Sequence, residues 1–208
     1  MLPNIMKSLF TKLVVFLALA GAALAESETF NFKDPKHGNS AVFKLVAPKE
    51  TIQGSANAIS GSVSFDPQNP AATKGKIVVE AKSLAVPNPI MKMHLHGSTW
   101  LEVQKYPEIA FEVKELKNVK TEGDKTIADV SGTFTLKGVS KDLTVPVTLT
   151  YLKDKLSQRQ PGLKGDLLVV RSTFTIQRSD FNVNAHQNED KVSDKIELTL
   201  GLAGAAPQ

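Results

Sequence analysis

Cysteine is absent from all 208 residues. That removes thiol nucleophiles, thiolate metal ligands, disulfides and a lipidated N-terminal cysteine, so an exported chain of this length must be held by its hydrophobic core. Aromatic residues are scarce, with one Trp, two Tyr and ten Phe. Basic residues are dispersed rather than interleaved with stacking platforms, which speaks against an oligonucleotide-binding surface. No Gly-x-Ser-x-Gly elbow and no glycine-rich phosphate cradle occurs, and the paired acids Glu189-Asp190 sit in a polar stretch that reads as a solvated turn. Neither a hydrolase nor a transferase constellation emerges, and no cofactor is implied.

The chain also lacks an apolar run long enough to span a bilayer. Its N-terminal run, Leu13 to Leu19, follows Lys7 and Lys12, with no acid before Glu26, and ends in Ala23-Leu24-Ala25. This is the pattern of a secretory signal peptide over residues 1–25, cleaved after Ala25 and too short to serve as a membrane span. Cleavage leaves one domain over 26–208. It removes two lysines and no acid, so 23 basic residues face 21 acidic ones. A net charge of +2 calls for no acidic partner and no nucleic acid. The expected location is the bacterial periplasm, without stable insertion in a membrane.

What the chain does contain is alternation. From Ala128 to Lys137 every even position is apolar or glycine and every odd one polar, as in a strand with one wet face and one dry. The same period carries Ala41, Phe43 and Leu45; Ile59, Gly61, Val63 and Phe65; Ile77, Val79 and Ala81; Ile109, Phe111 and Val113; Leu143 through Tyr151; Leu168, Val170, Phe174 and Ile176; and Ile196, Leu198 and Leu200. Turn signals at Asp66-Pro67, Pro87 to Pro89, Glu122-Gly123-Asp124, Lys137-Gly138 and Pro161-Gly162 separate them. With almost no helix to cover an open sheet, the dry faces must bury against one another. An all-β antiparallel barrel or a two-sheet sandwich remains, and a barrel of about eight strands either fills its interior or holds one slim ligand.

Four features bear on a site. Gly61 and Gly132 fall on dry faces in two similar segments, either to let a strand bend or to leave room for a ligand. After Pro89 a short helical block reaches towards Val103, with Met91, Leu95 and Trp100 as its large apolar groups, and reads as a lid or as a simple cap. His94 and His96 form His-x-His, but two ligands without a third at diagnostic spacing do not make a metal site. Arg178 falls on the dry parity at a strand end, where it must meet Asp180, backbone carbonyls or a polar ligand head.

The stretch from His94-Leu95 through Trp100-Leu101-Glu102 and Tyr106-Pro107 to Phe111 resembles the signature of the YceI-like family of secreted lipid-binding barrels. So do Gly132 to Lys141 and Phe174 to Phe181, in the family's order. The chain departs from the pattern at Met93 and Thr99, where an acid is common, and His96 stands at a position that is usually basic. The resemblance implies an up-and-down, eight-stranded lipocalin-like barrel with a short helix near its mouth, holding a long-chain isoprenoid or quinone-like lipid in a tunnel. A homodimer is compatible with that reading. The lining is expected from Phe43, Ile77, Val79, Phe111, Gly132, Phe134, Leu149 and Phe174 in the strands, Met91, His94, Leu95 and Trp100 in the lid, and Arg178 at the rim. Two rivals stand beside it, a ligand-free envelope scaffold or accessory protein and an uncharacterised enzyme.

Overall fold

In the strand Lys125–Leu136, exposed and buried positions alternate along almost the whole length, with Ala128, Val130, Gly132, Phe134 and Leu136 inward. A period of two places one side-chain row on each face of a pleated strand, so burying one row fixes the register of every neighbour. The computed structural model describes residues 27–208; the expected leader lies outside them. In chain order the strands are β1 (Glu28–Asn31), β2 (Ser40–Val46), β3 (Thr51–Ala56), β4 (Ile59–Phe65), β5 (Lys74–Glu80), β6 (Glu108–Glu122), β7 (Lys125–Leu136), β8 (Val139–Leu152), β9 (Gly165–Gln177) and β10 (Lys195–Pro207). Helices α1 (Pro89–His96) and α2 (Leu156–Arg159) interrupt them.

All pairings are antiparallel, and β1 pairs with both β4 and β10, which closes the sheet into a ring. Ten strands occupy eight positions. β2 pairs with β10 at residues 197–201, while β1 meets it at Ala205, so β1 and β2 are two halves of one interrupted stave. β3 and β4 form the next stave in the same way, pairing with β2 and β1 respectively. The result is the expected eight-position up-and-down barrel, in which closure leaves no free edge to be covered. Strand β5 stops at Glu80, and Ala81 opens a 3-10 turn instead of continuing the dry row.

Where the first stave breaks, a side chain supplies the missing backbone pairing. Asn39, almost fully buried, donates from Nδ2 to the carbonyls of Phe32 (2.8 Å) and Ala203 (3.2 Å) and accepts at Oδ1 from Ala203 N–H (2.8 Å). Its amide acts as a surrogate peptide unit, which keeps the β10 groups satisfied inside the wall. Arg159, at the end of α2, donates to the same Oδ1 at 3.0 Å and to Asp34 Oδ2 at 2.6 Å.

Alternate connections of an up-and-down barrel lie at the same end. The β4–β5, β6–β7 and β8–β9 connections share one end with the start of β1, and here the interior is filled. Phe30 and Phe65 are essentially inaccessible and both pack against Tyr151, at ring centroid distances of 6.2 and 6.3 Å. The Tyr151 hydroxyl donates to Asp166, which also accepts the Asp154 N–H at 2.7 Å. Burial alone would raise the Asp166 carboxyl, but those bonds hold it below its usual range. Glu28 stands beside it, and burial together with repulsion from and hydrogen bonding to Asp166 pushes its carboxyl up to about 7.

A carboxyl whose folded value exceeds its unfolded one stabilises the fold fully below the unfolded value and loses that contribution as the pH rises through the folded value. Glu28 should therefore stabilise the barrel below about pH 4.5, with the contribution fading through about pH 7. Urea denaturation across this range should show the parent losing stability from mild acid to pH 8. Glu28→Gln should be flatter over the same interval and more stable than the parent at pH 8.

Candidate ligand cavity

The other end of the barrel carries the β2–β3 turn, the long β5–β6 connection with α1, the Lys137-Gly138 turn and the β9–β10 connection. Below them the interior is empty, a cavity of about 810 Å³, in the upper part of the ~300–1,000 Å³ range typical of small-molecule pockets. Its deep wall includes Leu116, Val145, Val147, Leu149 and Val170. Phe30, Phe65 and Tyr151 are not among its lining residues, whereas Thr73 of the β4–β5 connection is, so the cavity runs along most of the barrel beside the aromatic cluster.

Eleven of the thirteen residues expected from the sequence line it: Phe43, Ile77, Val79, Met91, His94, Leu95, Trp100, Phe111, Phe134, Leu149 and Phe174. They converge because inward parity carries the strand residues to one interior and the β5–β6 connection folds over its open end. Helix α1 starts where Asn88 accepts at Oδ1 from the N–H groups of Ile90 (2.9 Å) and Met91 (3.2 Å), with Pro89 pre-set for the first turn. It stops at His96, short of the helical block read from the sequence. Irregular turns then bury Leu101 and Val103 beneath Phe134, Leu136 and Phe181, and bring half-buried Trp100 to the cavity wall.

The histidines part company on this helix. Two helical residues apart, they point in different directions; His96 Nε2 lies 2.8 Å from the Leu84 carbonyl, whereas exposed His94 borders the cavity. Among the described residues no three His, Asp or Glu side chains gather as a metal centre would require.

Gly132 and Arg178 do not line the cavity. A Cβ on Gly132 would lie 2.6 Å from Phe111 Cζ and collide with the Glu112 carbonyl, so the space left by the missing side chain is already occupied by an aromatic ring. Phe43 covers Gly54 in the same manner. At Gly61, φ is +109° and a Cβ would strike the Lys76 carbonyl, so bending and close strand approach explain these glycines.

Arg178 is fully buried in a 3-10 turn after β9, facing the β9–β10 connection. Its five N–H donors meet five carbonyls: Nε donates to Ser193 (3.1 Å), Nη1 to Val183 (3.1 Å) and Asn184, and Nη2 to Gln187 (2.7 Å) and Val192 (3.1 Å). The guanidinium is thereby saturated and has no donor left for a ligand. Asp180 pairs with Lys141 instead, at 3.2 Å. Left-handed backbone at Asn182, Asn184, His186 and Asn188 turns the connection around the cation, and Asn is a residue that tolerates that conformation. The spacing Asn-x-Asn-x-His-x-Asn was the signal for this loop in the sequence.

The same connection brings Asn184, Gln187, Asn188 and Lys191 to the rim, beside Glu50 of the β2–β3 turn, whose neighbour Lys49 pairs with Asp190 at 2.8 Å, and none of these lining residues was anticipated. Trp100 is held in place from behind, its ring 5.6 Å from the Arg178 guanidinium carbon. Lys137 bridges the two lips by donating to the carbonyls of Thr99 (3.1 Å) and Asn182 (3.0 Å). Arg178 is thus a positioning residue that shapes the rim through its backbone.

Lysine at position 178 would supply three donors for five carbonyls, and each buried polar group left unpaired costs ~1–3 kcal/mol. Arg178→Lys is therefore expected to lower stability by roughly 2–5 kcal/mol in chemical denaturation, with exchange protection lost first among amides of the 183–192 loop. Gly132→Leu should strain β6 against β7 and lower the melting temperature, because its side chain meets Phe111 and backbone before it reaches the cavity.

Comparison with known proteins supports this architecture. The YceI-like domain profile matches residues 33–203. A UPF0312 protein of Yersinia pestis (strain Pestoides F) is 30% identical over 188 residues, covering 89% of each chain. The crystal structure of BcnA from Burkholderia cenocepacia aligns with a TM-score of 0.64 and 22% identity, over 79% of this chain and 95% of that one. A polyisoprenoid binding domain from Saccharophagus degradans aligns with a TM-score of 0.63 and 14% identity, over 88% and 100%. The two structures share the fold, while the profile spans most of the sequence, and the chain accordingly belongs to the YceI-like domain family.

Proposed function

We propose that the protein is a non-catalytic binder that holds one long-chain isoprenoid, or the tail of an isoprenoid quinone, and stores, shields or carries it in the periplasm. The observation that carries this reading is the apolar cavity inside the barrel, bordered at one end by α1 and the β9–β10 connection. Each methylene moved from water into such a cavity favours binding by ~0.8 kcal/mol before ordering costs. A flexible chain suits walls of Val, Leu and Phe, and Met91 and Met93 can adapt to an irregular one. The amide and hydroxyl groups of Asn184, Gln187, Asn188 and Thr99 at the open end offer hydrogen bonds to a polar head. The polyisoprenoid binding domain of similar fold supports a ligand of this class.

Native mass spectrometry, followed by organic extraction, tests the proposal. One apolar compound per chain is the expected result, and a barrel recovered empty that takes up no prenyl lipid would instead favour the scaffold reading. Trp100 is the only tryptophan in the chain. Titrating delipidated protein with geranylgeraniol should shift its emission to shorter wavelength in proportion to occupancy, as hydrocarbon replaces water around the indole. Val170→Phe, which adds volume to the wall beside Leu149, should reduce the bound fraction while the barrel still folds.

A further inference from the structure

Helix α1 borders the cavity without being packed into the barrel. None of its residues is buried, although Met91, His94 and Leu95 line the cavity, and of its side chains only Leu95 rests on the buried cluster beneath. Among the described residues the hydrogen bonds of residues 86–98 all stay within the β5–β6 connection, including the one between His96 and the Leu84 carbonyl. The segment is held at its ends. Before it, Ser55 and Ala85 exchange reciprocal backbone hydrogen bonds at 2.9 and 2.8 Å; after it, Leu101 and Val103 are buried.

Between those anchors one atom ties the segment to the far side of the cavity. The Thr99 carbonyl oxygen accepts from Asn184 N–H at 3.1 Å and from Lys137 Nζ at 3.1 Å, and the same ammonium donates to the Asn182 carbonyl at 3.0 Å. Thr99 and Asn184 both line the cavity, so this junction is part of its wall. The β9–β10 side of the junction is stiffened by the five carbonyls gathered round Arg178. Lys137 stands on an equally fixed post. It and Gly138 join the paired residues Leu136 and Val139 with φ of +49° and +74°, the left-handed pair that a type I′ hairpin turn requires. The turn is seated on Tyr106, whose ring leaves no room for a Cβ on Gly138. Of the three elements that meet at the Thr99 carbonyl, the α1 side alone carries a helix with no buried residue.

We propose that Lys137 is a positioning residue that clasps α1 shut as a lid, and that release of its bonds to Thr99 and Asn182 is the step that admits and discharges the ligand. Lys137 does not itself line the cavity, so it acts through those two carbonyls rather than on the ligand. The clasp rests on the carrier reading above for its purpose. Its bonds form whether the cavity is empty or loaded, and losing them favours the open state of both alike. Entry and exit should therefore accelerate together while affinity holds.

Lys137→Met keeps the side chain's reach and removes its donors. Stopped-flow mixing with geranylgeraniol in cyclodextrin, read by Trp100 emission, gives the entry rate, and dilution of loaded protein into empty cyclodextrin gives the exit rate. Both should rise about fivefold to tenfold in Lys137→Met, with the dissociation constant within about twofold of the parent's. Lys137→Arg, which still donates, should restore the slow rates, and Lys92→Met, which removes an exposed lysine from α1 itself, should match the parent. Hydrogen exchange of the ligand-free protein supplies a second readout, because the Asn184 amide donates to Thr99 and should exchange faster by a similar factor in Lys137→Met. Unchanged rates and exchange, an affinity weakened by faster exit alone, or an arginine variant as fast as the methionine one would show that Lys137 is no clasp. If the Asn184 amide loosens as expected but the parent takes up no geranylgeraniol, the clasp stands and the carrier reading falls.

Discussion

Ring closure along β10 is the constraint on which the rest of the molecule depends. A sheet with hydrophobic residues on one face must either be covered or closed, and this chain has only two short α-helices and three 3-10 turns among its described residues to cover anything with. Closing the ring removes free edges and encloses the dry face at once. The cost falls at the seam, where β10 pairs with β9 along its length and on its other side with two separate half-strands. Asn39 bridges the gap between them with hydrogen bonds that would otherwise come from backbone. Arg159 and Asp34 brace that amide, which explains why a short, otherwise unremarkable helix ends where it does.

Once the ring is closed, its interior is treated differently at its two ends. Aromatic side chains pack the end where the chain enters, around Tyr151 and its bond to Asp166, and make it solid. The middle and opposite end are lined by aliphatic groups together with Phe43, Phe111, Phe134, Phe174 and Trp100 that leave a space between them, and side chains facing a void forgo the dispersion contacts that a filled core would make. A bound apolar chain restores those contacts, and anything that binds only the folded state stabilises it by mass action. The glycines on the dry face belong to this economy in an unexpected way: they seat phenylalanine rings and tight strand crossings, and thereby set how wide the cavity is.

The open end is made of irregular backbone, which is the part of a protein that can move and still leave its scaffold intact. Its two lips are tied by a few polar contacts, from Lys137 to both and from Arg178 to the backbone of one. The guanidinium converts a loop with little hydrophobic content into a defined rim. Opening the mouth therefore means separating α1 and Trp100 from that rim, with the barrel wall unchanged.

Most of the architecture was legible in the sequence, because strict period-two patterning determines which residues share a face irrespective of what lies opposite. The eight-position ring and eleven of the expected lining residues follow from that parity together with the family pattern; the stave break between β1 and β2, with Phe30 and Phe32, did not show, since four-residue strands carry too little alternation to register. Parity put Arg178 and Gly132 inward, where both are buried, but it did not decide between a structural role and contact with a ligand. It specifies the side of a strand and is silent on what fills the space beyond: a 3-10 turn redirected the arginine into the β9–β10 connection, and Phe111 took the space beside the glycine. Whether the interior would be solid or hollow, closed at one end or at both, depends on side chains from different strands meeting across about one barrel radius. Those meetings are decided by ring closure, and so only the tertiary structure determined that this chain has an aromatic cluster at one end and a cavity beside it.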